Sequence, residues 1–452
     1  MCRPTRRGFV MGCSAAIANL AAARFTNLVF ADPLTVPGHD VLITLFLRGG
    51  MDGLSFVFPT GGSDLGHYNA LRPDIAVSTE NGATPLALGT LAATQFGLHP
   101  AASGLHGLFQ DNRVAFVHAA GIDVPSRSHF DNQAQMELGT PGEGNTNDGW
   151  LTRHFLTAPN LPPETPMLQR LAVSSGVQTA WLADTNVMAF SNRDDFLFNT
   201  GPSQWRDAQK VALRNVLENG AADPRYFQGI VAMDASAFIE QNVVPLGSYV
   251  PANGAVYPSG SFADSMKLTA QLIKLNMGLR AATLDLGGWD THTFQGAPTD
   301  GQFFWEKIEE LSRVLTAFYT DLDGVGTEAY ARRTTVVTLS EFGRRAGQND
   351  DDGTDHGHGG VITILGGSVN GGLYGSWPGL APGQLYDNAD LQITTDYRRV
   401  LTELLVGRMG NPNWQQVFPG YAGYSPMGIV QPILFEDGFE SGTTSAWSTV
   451  SP

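Results

Sequence analysis

The chain has 452 residues, of which 42% are apolar, and its formal charge is −16 at pH 7. Residues 1–31 carry four arginines and no acidic side chain, so the rest of the chain has a formal charge of −20. So acidic a surface argues against nucleic acid or an anionic membrane as a partner. Both cysteines, Cys2 and Cys13, also lie in this first segment. The remainder therefore has no thiol for a disulfide, a thiolate metal site or a cysteine nucleophile.

The N-terminal segment has the pattern of a twin-arginine signal peptide. Arg6 and Arg7 precede a small-residue apolar stretch at 12–23, and an A-x-A-like cleavage site ends at Ala31. The stretch is too short and too rich in Ala and Gly to cross a membrane, which takes about 20 strongly apolar residues. We therefore expect cleavage after Ala31, export by the twin-arginine translocase to the periplasm or beyond, and no stable membrane span in the mature chain.

Residues 32–426 have the pattern of one α/β domain. Short apolar runs without polar alternation, each closed by glycine or a polar residue, predict strands buried on both faces. These runs lie at 41–47, 114–118, 281–286, 334–339 and 361–365, and helical patterns lie between or after them at 101–111, 131–138, 203–219, 263–277, 299–322 and 396–409. The alternation predicts a layered sandwich in which helices flank a mostly parallel central sheet. Ligands of such sheets bind at the carboxyl ends of the strands.

The last segment, 427–452, has a different amino-acid composition from the rest of the chain. Glycine and proline lead to an aromatic and acidic stretch at 435–442 and then to a Ser/Thr-rich end. This composition predicts a tail. It resembles short C-terminal segments of many secreted proteobacterial proteins, in which a sorting or recognition role is expected.

Two polar clusters contain candidate catalytic residues. After the first strand come Arg48 and Asp52, separated by glycines that let the backbone approach an ion, although a lone Asp here also suits a turn or a helix cap. The second cluster follows the strand at 114–118 and begins a helix. It offers hydroxyls, a base and an anion clamp in Ser126, Arg127, Ser128 and His129. An elaborate N-cap is the alternative interpretation of the second cluster.

Two further clusters contain candidate metal ligands. Asp290 and His292 follow the strand at 281–286, and their i, i+2 spacing in a loop lets both face one cation. Glu341 follows the strand at 334–339, and His356 and His358 come shortly after it. Carboxylate and neutral imidazole suit zinc, manganese or iron. The set predicts a site for a divalent metal.

These clusters together resemble the signature blocks of the bacterial "domain of unknown function 1501" family. The matching blocks are 48–54, 125–131, 288–292, 340–344, 355–360 and 395–398, and the resemblance extends over about residues 38–420. Members are often exported by the twin-arginine route. The family resembles the alkaline phosphatase and sulfatase superfamily in fold, which implies one or two divalent ions, with zinc, manganese, iron and calcium as the candidates.

The wider resemblance also implies roles for single residues. Asp52 matches the first-strand metal ligand, Asp290 and His292 match the Asp/His ligand pair, and Glu341 matches the aspartate of an Asp-His dipeptide. His356 or His358 matches the late histidine. Phe342 stands where the dipeptide has its histidine. One of two metal sites is therefore expected to be lost, or rebuilt with His356 and His358.

The nucleophile is left open. Asp123 stands where sulfatases carry their modified residue, so formylglycine chemistry is excluded there. Ser126, or less favourably Ser128, is a candidate alkoxide, with Arg48 or Arg127 neutralising the charge of the ester. The alternative is that Asp123 is a further ligand and water attacks directly.

Two functions are consistent with these features. The first is an exported metal-dependent hydrolase of a phosphate or sulfate ester, borne by a small molecule or a polymer. The second is a catalytically degenerate member of the same fold that acts as a binding or assembly protein of the cell envelope.

Overall fold

The protein is described from a computed structural model over residues 40–432, apart from 143–145, 160, 162–167, 198–200, 221–223 and 244. The predicted signal peptide at 1–31 and residues 433–452 of the predicted tail lie outside the described residues. Within the described part of the chain, no helix is both long enough and apolar enough to cross a membrane.

One large sheet organises the fold, and a three-stranded sheet lies beside it. The strands are β1 (Val41–Leu47), β2 (Val57–Gly61), β3 (Leu86–Leu91), β4 (Thr94–Leu98), β5 (Val114–Gly121), β6 (Arg170–Ala172), β7 (Met188–Ala189), β8 (Ala281–Leu286), β9 (Thr334–Leu339), β10 (Gly360–Gly366), β11 (Gly372–Tyr374) and β12 (Thr395–Asp396). The large sheet has the order β11-β5-β10-β9-β1-β8-β6-β7, with β12 also paired to β5, and the small sheet has the order β2-β4-β3. In the large sheet only the pairs made by β10 are antiparallel. The expected mostly parallel sheet is confirmed.

Helices cover both faces of the large sheet. They are α1 (Gly53–Phe56), α2 (Ser63–Leu71), α3 (Ser103–Gln110), α4 (His129–Leu138), α5 (Trp150–Thr157), α6 (Arg206–Asn219), α7 (Pro224–Asn242), α8 (Ser261–Lys274), α9 (Phe303–Leu322), α10 (Tyr397–Gly407) and α11 (Trp414–Val417). Helices α3, α8 and α9 contribute to one hydrophobic core, and α4, α5 and α10 contribute to the other. The layered α/β sandwich expected from the sequence is therefore present.

Strand β1 shows why the central strands lack polar alternation. Its side chains alternate between the two cores, with Ile43 and Leu45 in one and Leu42 and Phe46 in the other. All seven of its residues are buried. A strand covered on both faces has no solvent side, so every position favours an apolar residue.

The direction of β10 brings a loop to an unexpected place. Residues 355–359 precede this strand, whereas the other polar clusters at the sheet edge follow strands β1, β5, β8 and β9. Because β10 runs antiparallel to β9, its first residue lies at the same edge as the last residues of the parallel strands. The histidines before β10 therefore reach the carboxyl edge of the sheet.

The first residues of the predicted tail contact α10 and the segment between β10 and β11. The backbone N–H groups of Met427 and Ile429 donate hydrogen bonds to the carboxylate of Glu403 on α10. Ile429 is buried, and Val430 forms a β-bridge with Val369. Met427, Ile429 and Val430 thus pack against the domain.

Candidate metal centre

Three imidazole rings surround the carboxylate of Asp290. The Nε2 atoms of His292 and His356 each lie 3.3 Å from its Oδ1. The Nε2 atom of His129 lies 3.5 Å from its Oδ2. Ligand atoms of His129, Asp290 and His356 all fall within 4.8 Å of one another, close enough for one metal ion. A tetrahedral zinc with bonds of about 2.0–2.1 Å separates its ligands by about 3.3 Å, so these spacings suit such an ion.

Each of the three rings directs its other nitrogen towards an oxygen acceptor. Nδ1 of His356 donates to the backbone carbonyl of Arg127 at 2.8 Å, and Nδ1 of His292 lies 3.1 Å from a carboxylate oxygen of Asp355. Nδ1 of His129 faces Glu341 Oε1 at 3.4 Å. For His292 and His356, the acceptor at Nδ1 favours the proton there and leaves Nε2 free to bind a cation, as in metal-ligating histidines of proteins.

The shortest contact among the three rings and Asp290 joins two ring nitrogens. Nε2 of His292 and Nε2 of His356 are 2.9 Å apart. If both rings are neutral with Nδ1 protonated, two lone pairs face each other, which is repulsive unless a proton or a metal ion lies between them. Burial lowers the pKa of His356, which disfavours the protonated form of that ring.

His129 has no hydrogen-bond partner for either ring nitrogen within the described residues, although both nitrogens are shielded from solvent. Buried polar atoms nearly always have a partner, so an orphaned imidazole among carboxylates is an observation that an absent cation would explain. The residues present therefore fit a divalent metal ion.

Glu341 is held beneath His129 by backbone donors. The N–H groups of Gly49 and Gly50 donate to its carboxylate oxygens at 2.8 to 3.1 Å, and Ser340 donates at 3.2 Å. Gly49 has a φ of +121°, and a side chain there would collide with the backbone of Asp290. Glycine at this position is thus required for the loop after β1 to approach the loop after β8.

Arg344 joins the loops that build the site. Its fully buried guanidinium donates to carbonyl oxygens of Gly49, Gly50 and Thr354, and to Oδ1 of Asp290 at 2.6 Å. Burial raises the pKa of Asp290, but the hydrogen bond and charge of Arg344 outweigh it and bring the value to about 2. Asp290 therefore stays anionic at any pH at which the protein is expected to work.

Phe342, the residue that stands in place of the dipeptide histidine of the wider resemblance, lies in the cluster. Its buried ring is 4.8 Å from the ring of His129 and 4.6 Å from the ring of His356, measured between centroids. Phe342 supplies no ligand, and it packs against two of the three imidazoles. The apolar ring limits water on that side of the cluster.

Asp52, predicted as a metal ligand, is placed apart from this cluster. It is fully buried, and its two oxygens accept hydrogen bonds from Arg72 at 2.6 and 3.0 Å. Gln295 donates a further bond at 2.7 Å. Because Arg72 and Gln295 occupy both oxygens, Asp52 acts here as a buried structural anion, a role that the sequence interpretation did not weigh.

The two candidate serines are occupied by local structure. Ser128 caps α4, since its hydroxyl accepts a bond from the N–H of Asp131 at 3.4 Å. The hydroxyl of Ser126 accepts from the N–H of Ser128 at 3.2 Å. Among the described residues, neither hydroxyl is hydrogen-bonded to a histidine of the cluster. The N-cap interpretation of this segment accounts for their geometry.

The candidate arginines have acidic partners of their own. Arg48 pairs with Asp285 at 2.8 Å and with Glu137 at 3.2 Å. Arg127 pairs with the buried Asp390 at 2.6 Å, and only its backbone carbonyl contacts the cluster. Both guanidiniums are therefore committed to ion pairs rather than directed at Asp290.

His358, also predicted as a ligand, lies in a separate group. Its Nε2 is 3.4 Å from the carboxylate of Asp123, and its ring stacks on Tyr386 with centroids 4.1 Å apart. The structure thus brings together Asp290, His292, Glu341 and His356 of the predicted ligands. His129, predicted as a catalytic residue, joins them as a further imidazole.

Comparison with known proteins identifies the family. The sequence profile described as "Protein of unknown function (DUF1501)" matches residues 122–411, more than half of the chain. The chain belongs to this family. The matched segment contains His129, Asp290, His292, Glu341 and His356, so the metal-centre residues lie inside the DUF1501 region. No curated protein matches the sequence.

Among solved structures, the DUF1501 chain is similar to the crystal structure of the lipoteichoic acid synthase LtaP from Listeria monocytogenes. The sequence identity is 12% and the TM-score is 0.28, with 79% of this chain and 73% of that chain covered.

Proposed function

We propose that this protein is an exported metal-dependent hydrolase of a phosphate or sulfate ester. The observation that carries the proposal is the convergence of three Nε2 atoms on Asp290, each ring having an oxygen acceptor near Nδ1. Nitrogen and carboxylate ligands of this kind hold catalytic zinc and related ions. Glu341 and Asp355 then act as outer carboxylates that orient His129 and His292.

The chain's own residues would hold and shape the reacting centre. A bound divalent ion would lower the pKa of a water molecule and polarise an ester oxygen. Arg344 keeps Asp290 anionic and fixes the backbone of the loops on either side of it. Phe342 closes one side of the cluster, so that substrate and water approach from the exposed side of Asp290.

Direct attack by water fits the site better than a serine nucleophile. Ser126 and Ser128 are engaged in the turn and cap that begin α4. Asp123, the possible further metal ligand of this segment, is paired with His358 and not with the cluster. The hydrolase therefore needs no covalent intermediate on this chain.

The occupied serines also favour the second candidate, a binding or assembly protein of the cell envelope. The ion pairs of Arg48 and Arg127 also favour this second candidate. Both guanidiniums are neutralised by acidic partners, and neither is free to hold the charge of an ester. In that case the metal would be structural. Metal content and turnover, measured on one preparation, separate the two functions.

The test is elemental analysis of the purified protein, followed by assays with p-nitrophenyl phosphate and p-nitrophenyl sulfate. We expect about one equivalent of a divalent metal and turnover of at least one ester. His356→Ala and Asp290→Asn should each lose most of the metal and the turnover, because the first removes a ligand and the second removes the negative charge of one. His67→Ala is the matched control, since His67 lies on α2 and belongs to no metal-ligating group among the described residues.

Each outcome has a separate meaning. Metal retained in both ligand variants would disprove the site. Metal lost from both variants, with no turnover of either ester by the unmodified protein, would favour the binding protein.

A further inference from the structure

The side chain of Arg48 joins two elements that carry residues of the candidate metal centre. It forms ion pairs with Glu137 at 3.2 Å and with Asp285 at 2.8 Å. Glu137 lies in the last turn of α4, the helix that begins at His129. Asp285 lies in β8, the strand that leads to Asp290. One guanidinium therefore bridges the helix of one candidate ligand and the strand that precedes another.

The backbone of Arg48 is fixed to the same strand and to the loop that follows it. Its N–H donates to the carbonyl of Leu286 at 2.9 Å, and its carbonyl accepts from the N–H of Trp289 at 3.2 Å. Trp289 directly precedes Asp290. Because both backbone groups of Arg48 are bonded beside Asp290, its side chain links α4 to a fixed point next to the metal centre.

Two carboxylates share this one guanidinium, and the arrangement is costly. Glu137 is buried, and its other carboxylate oxygen accepts from the N–H of Thr179 at 2.9 Å. Burial raises the pKa of Glu137 and the nearby charge of Asp285 adds to this, although Arg48 opposes both. Apolar side chains in place of a buried charge network often serve stability as well or better, which favours a role for this network in fixing one geometry.

The ring of His129 is not anchored by a hydrogen bond of its own. Neither ring nitrogen has a hydrogen-bond partner among the described residues, and the ring packs against Phe342 and His356. His129 is the first residue of α4. The position of its Nε2 beside Asp290 therefore depends on the position of the helix.

We propose that Arg48 is a positioning residue of the metal centre, which holds α4 against β8 so that His129 and Asp290 can bind the same ion. The inference rests on the function proposed above and adds a residue that touches neither the ion nor the substrate. It gives Arg48 a role other than the contact with the ester that was expected from the sequence.

The test measures the Zn²⁺ affinity of the full protein by titrating the Zn²⁺-loaded form with a chelator of known affinity. Arg48→Met should weaken Zn²⁺ binding by about 10-fold to 100-fold, as loss of an outer partner of a metal site does. Tyr397→Phe is the matched control, because it removes a hydrogen bond to the carbonyl of Met136 on α4 but breaks no link between α4 and β8. Its Zn²⁺ affinity should equal that of the unmodified protein.

A combined variant separates positioning from stability. Arg48→Met alone leaves the carboxylates of Glu137 and Asp285 without their cation, so it should lower the midpoint of urea unfolding. Adding Glu137→Gln and Asp285→Asn removes both charges, so the midpoint should recover while the Zn²⁺ affinity stays low. Recovery of both together would show that Arg48 acts only on stability, which would overturn the proposal.

A double-mutant cycle tests whether Arg48 acts through His129. His129→Ala should weaken Zn²⁺ binding and leave the other ligands in place. Arg48→Met should then cause little further loss in the His129→Ala protein. Unchanged affinity in Arg48→Met, or an equal loss in both backgrounds, would overturn the proposal while the centre stands. Absence of Zn²⁺ binding by the unmodified protein would instead refute the metal centre, on which both proposals rest.

Discussion

Two aspartates that follow central strands have opposite surroundings. Asp52 follows β1 and is fully buried against Arg72. Asp290 follows β8, and its side chain is 50% exposed and lies among three imidazoles. The residue type and the position after a strand are the same in both cases. What differs is the partner: a buried guanidinium makes Asp52 part of the scaffold, and the histidines around Asp290 make it part of a site.

The ion pair of Asp52 leads to a prediction about stability. Arg72→Met should lower the free energy of unfolding by about 3–5 kcal/mol, because it leaves a carboxylate buried without a charge partner. Asp52→Asn should retain the metal in the folded protein, since Asp52 holds no ligand position at the centre. Urea unfolding and elemental analysis measure the two effects. A folded Asp52→Asn protein without metal would show that Asp52 is a metal ligand after all.

Among the elements, the antiparallel strand β10 decides whether the centre can form. The turn after β9 and the segment before β10 pass so closely that a Cβ on Gly343 would overlap the carbonyl oxygen of Gly359. Two hydrogen bonds hold them, from the N–H of Gly343 to His358 and from the N–H of Gly357 to Gly343. This crossing brings the segment of Glu341 next to the segment of His356.

We predict that Gly343→Ala separates these two segments. It should cost about 1–3 kcal/mol of stability through overpacking, and it should also reduce bound metal by displacing Glu341 or His356. Gly107→Ala is the control, because nothing lies within 4 Å of a Cβ at Gly107 in α3 and the change should stabilise by about 0.5–1 kcal/mol. Urea unfolding and metal content report the results. Full metal content in Gly343→Ala would show that the crossing does not position the ligands.

On the scale of the whole molecule, buried histidines make stability depend on pH. Burial lowers the pKa of His99 to about 3, of His118 to about 4 and of His154 to about 3, from an ordinary value of 6.5. The folded state therefore binds fewer protons than the unfolded state below pH 6.5. The stabilisation from these neutral rings is complete above pH 6.5 and is lost as the pH falls from there towards about 4 and then about 3.

The expected result is a melting temperature that falls steadily between pH 6.5 and 4.5 in chelator-treated protein, in which release of a metal ion does not contribute. His118→Gln should reduce this slope, because glutamine can still donate to the carbonyl of Val57 but cannot take up a proton. Circular dichroism melts over the pH series test this. A flat profile in the unmodified protein would contradict the assigned burial of these rings.

The sequence alone determined the layered fold and most residues of the centre. Unbroken apolar runs such as β1 and β9 have one explanation in a domain of this size, burial on both faces. Because the carboxyl ends of parallel strands share one edge, Asp290, His292 and Glu341 were predicted to lie together. Family membership was also apparent from the order of the blocks.

The tertiary structure decided which residues face one another. Sequence spacing does not reveal the direction of a single strand, so the approach of His356 depended on β10 being antiparallel. Nor does it reveal long-range partners, such as Arg72, which contacts both carboxylate oxygens of Asp52. Charge pairing and hydrogen bonding act over a few ångströms, and those distances exist only in the folded chain.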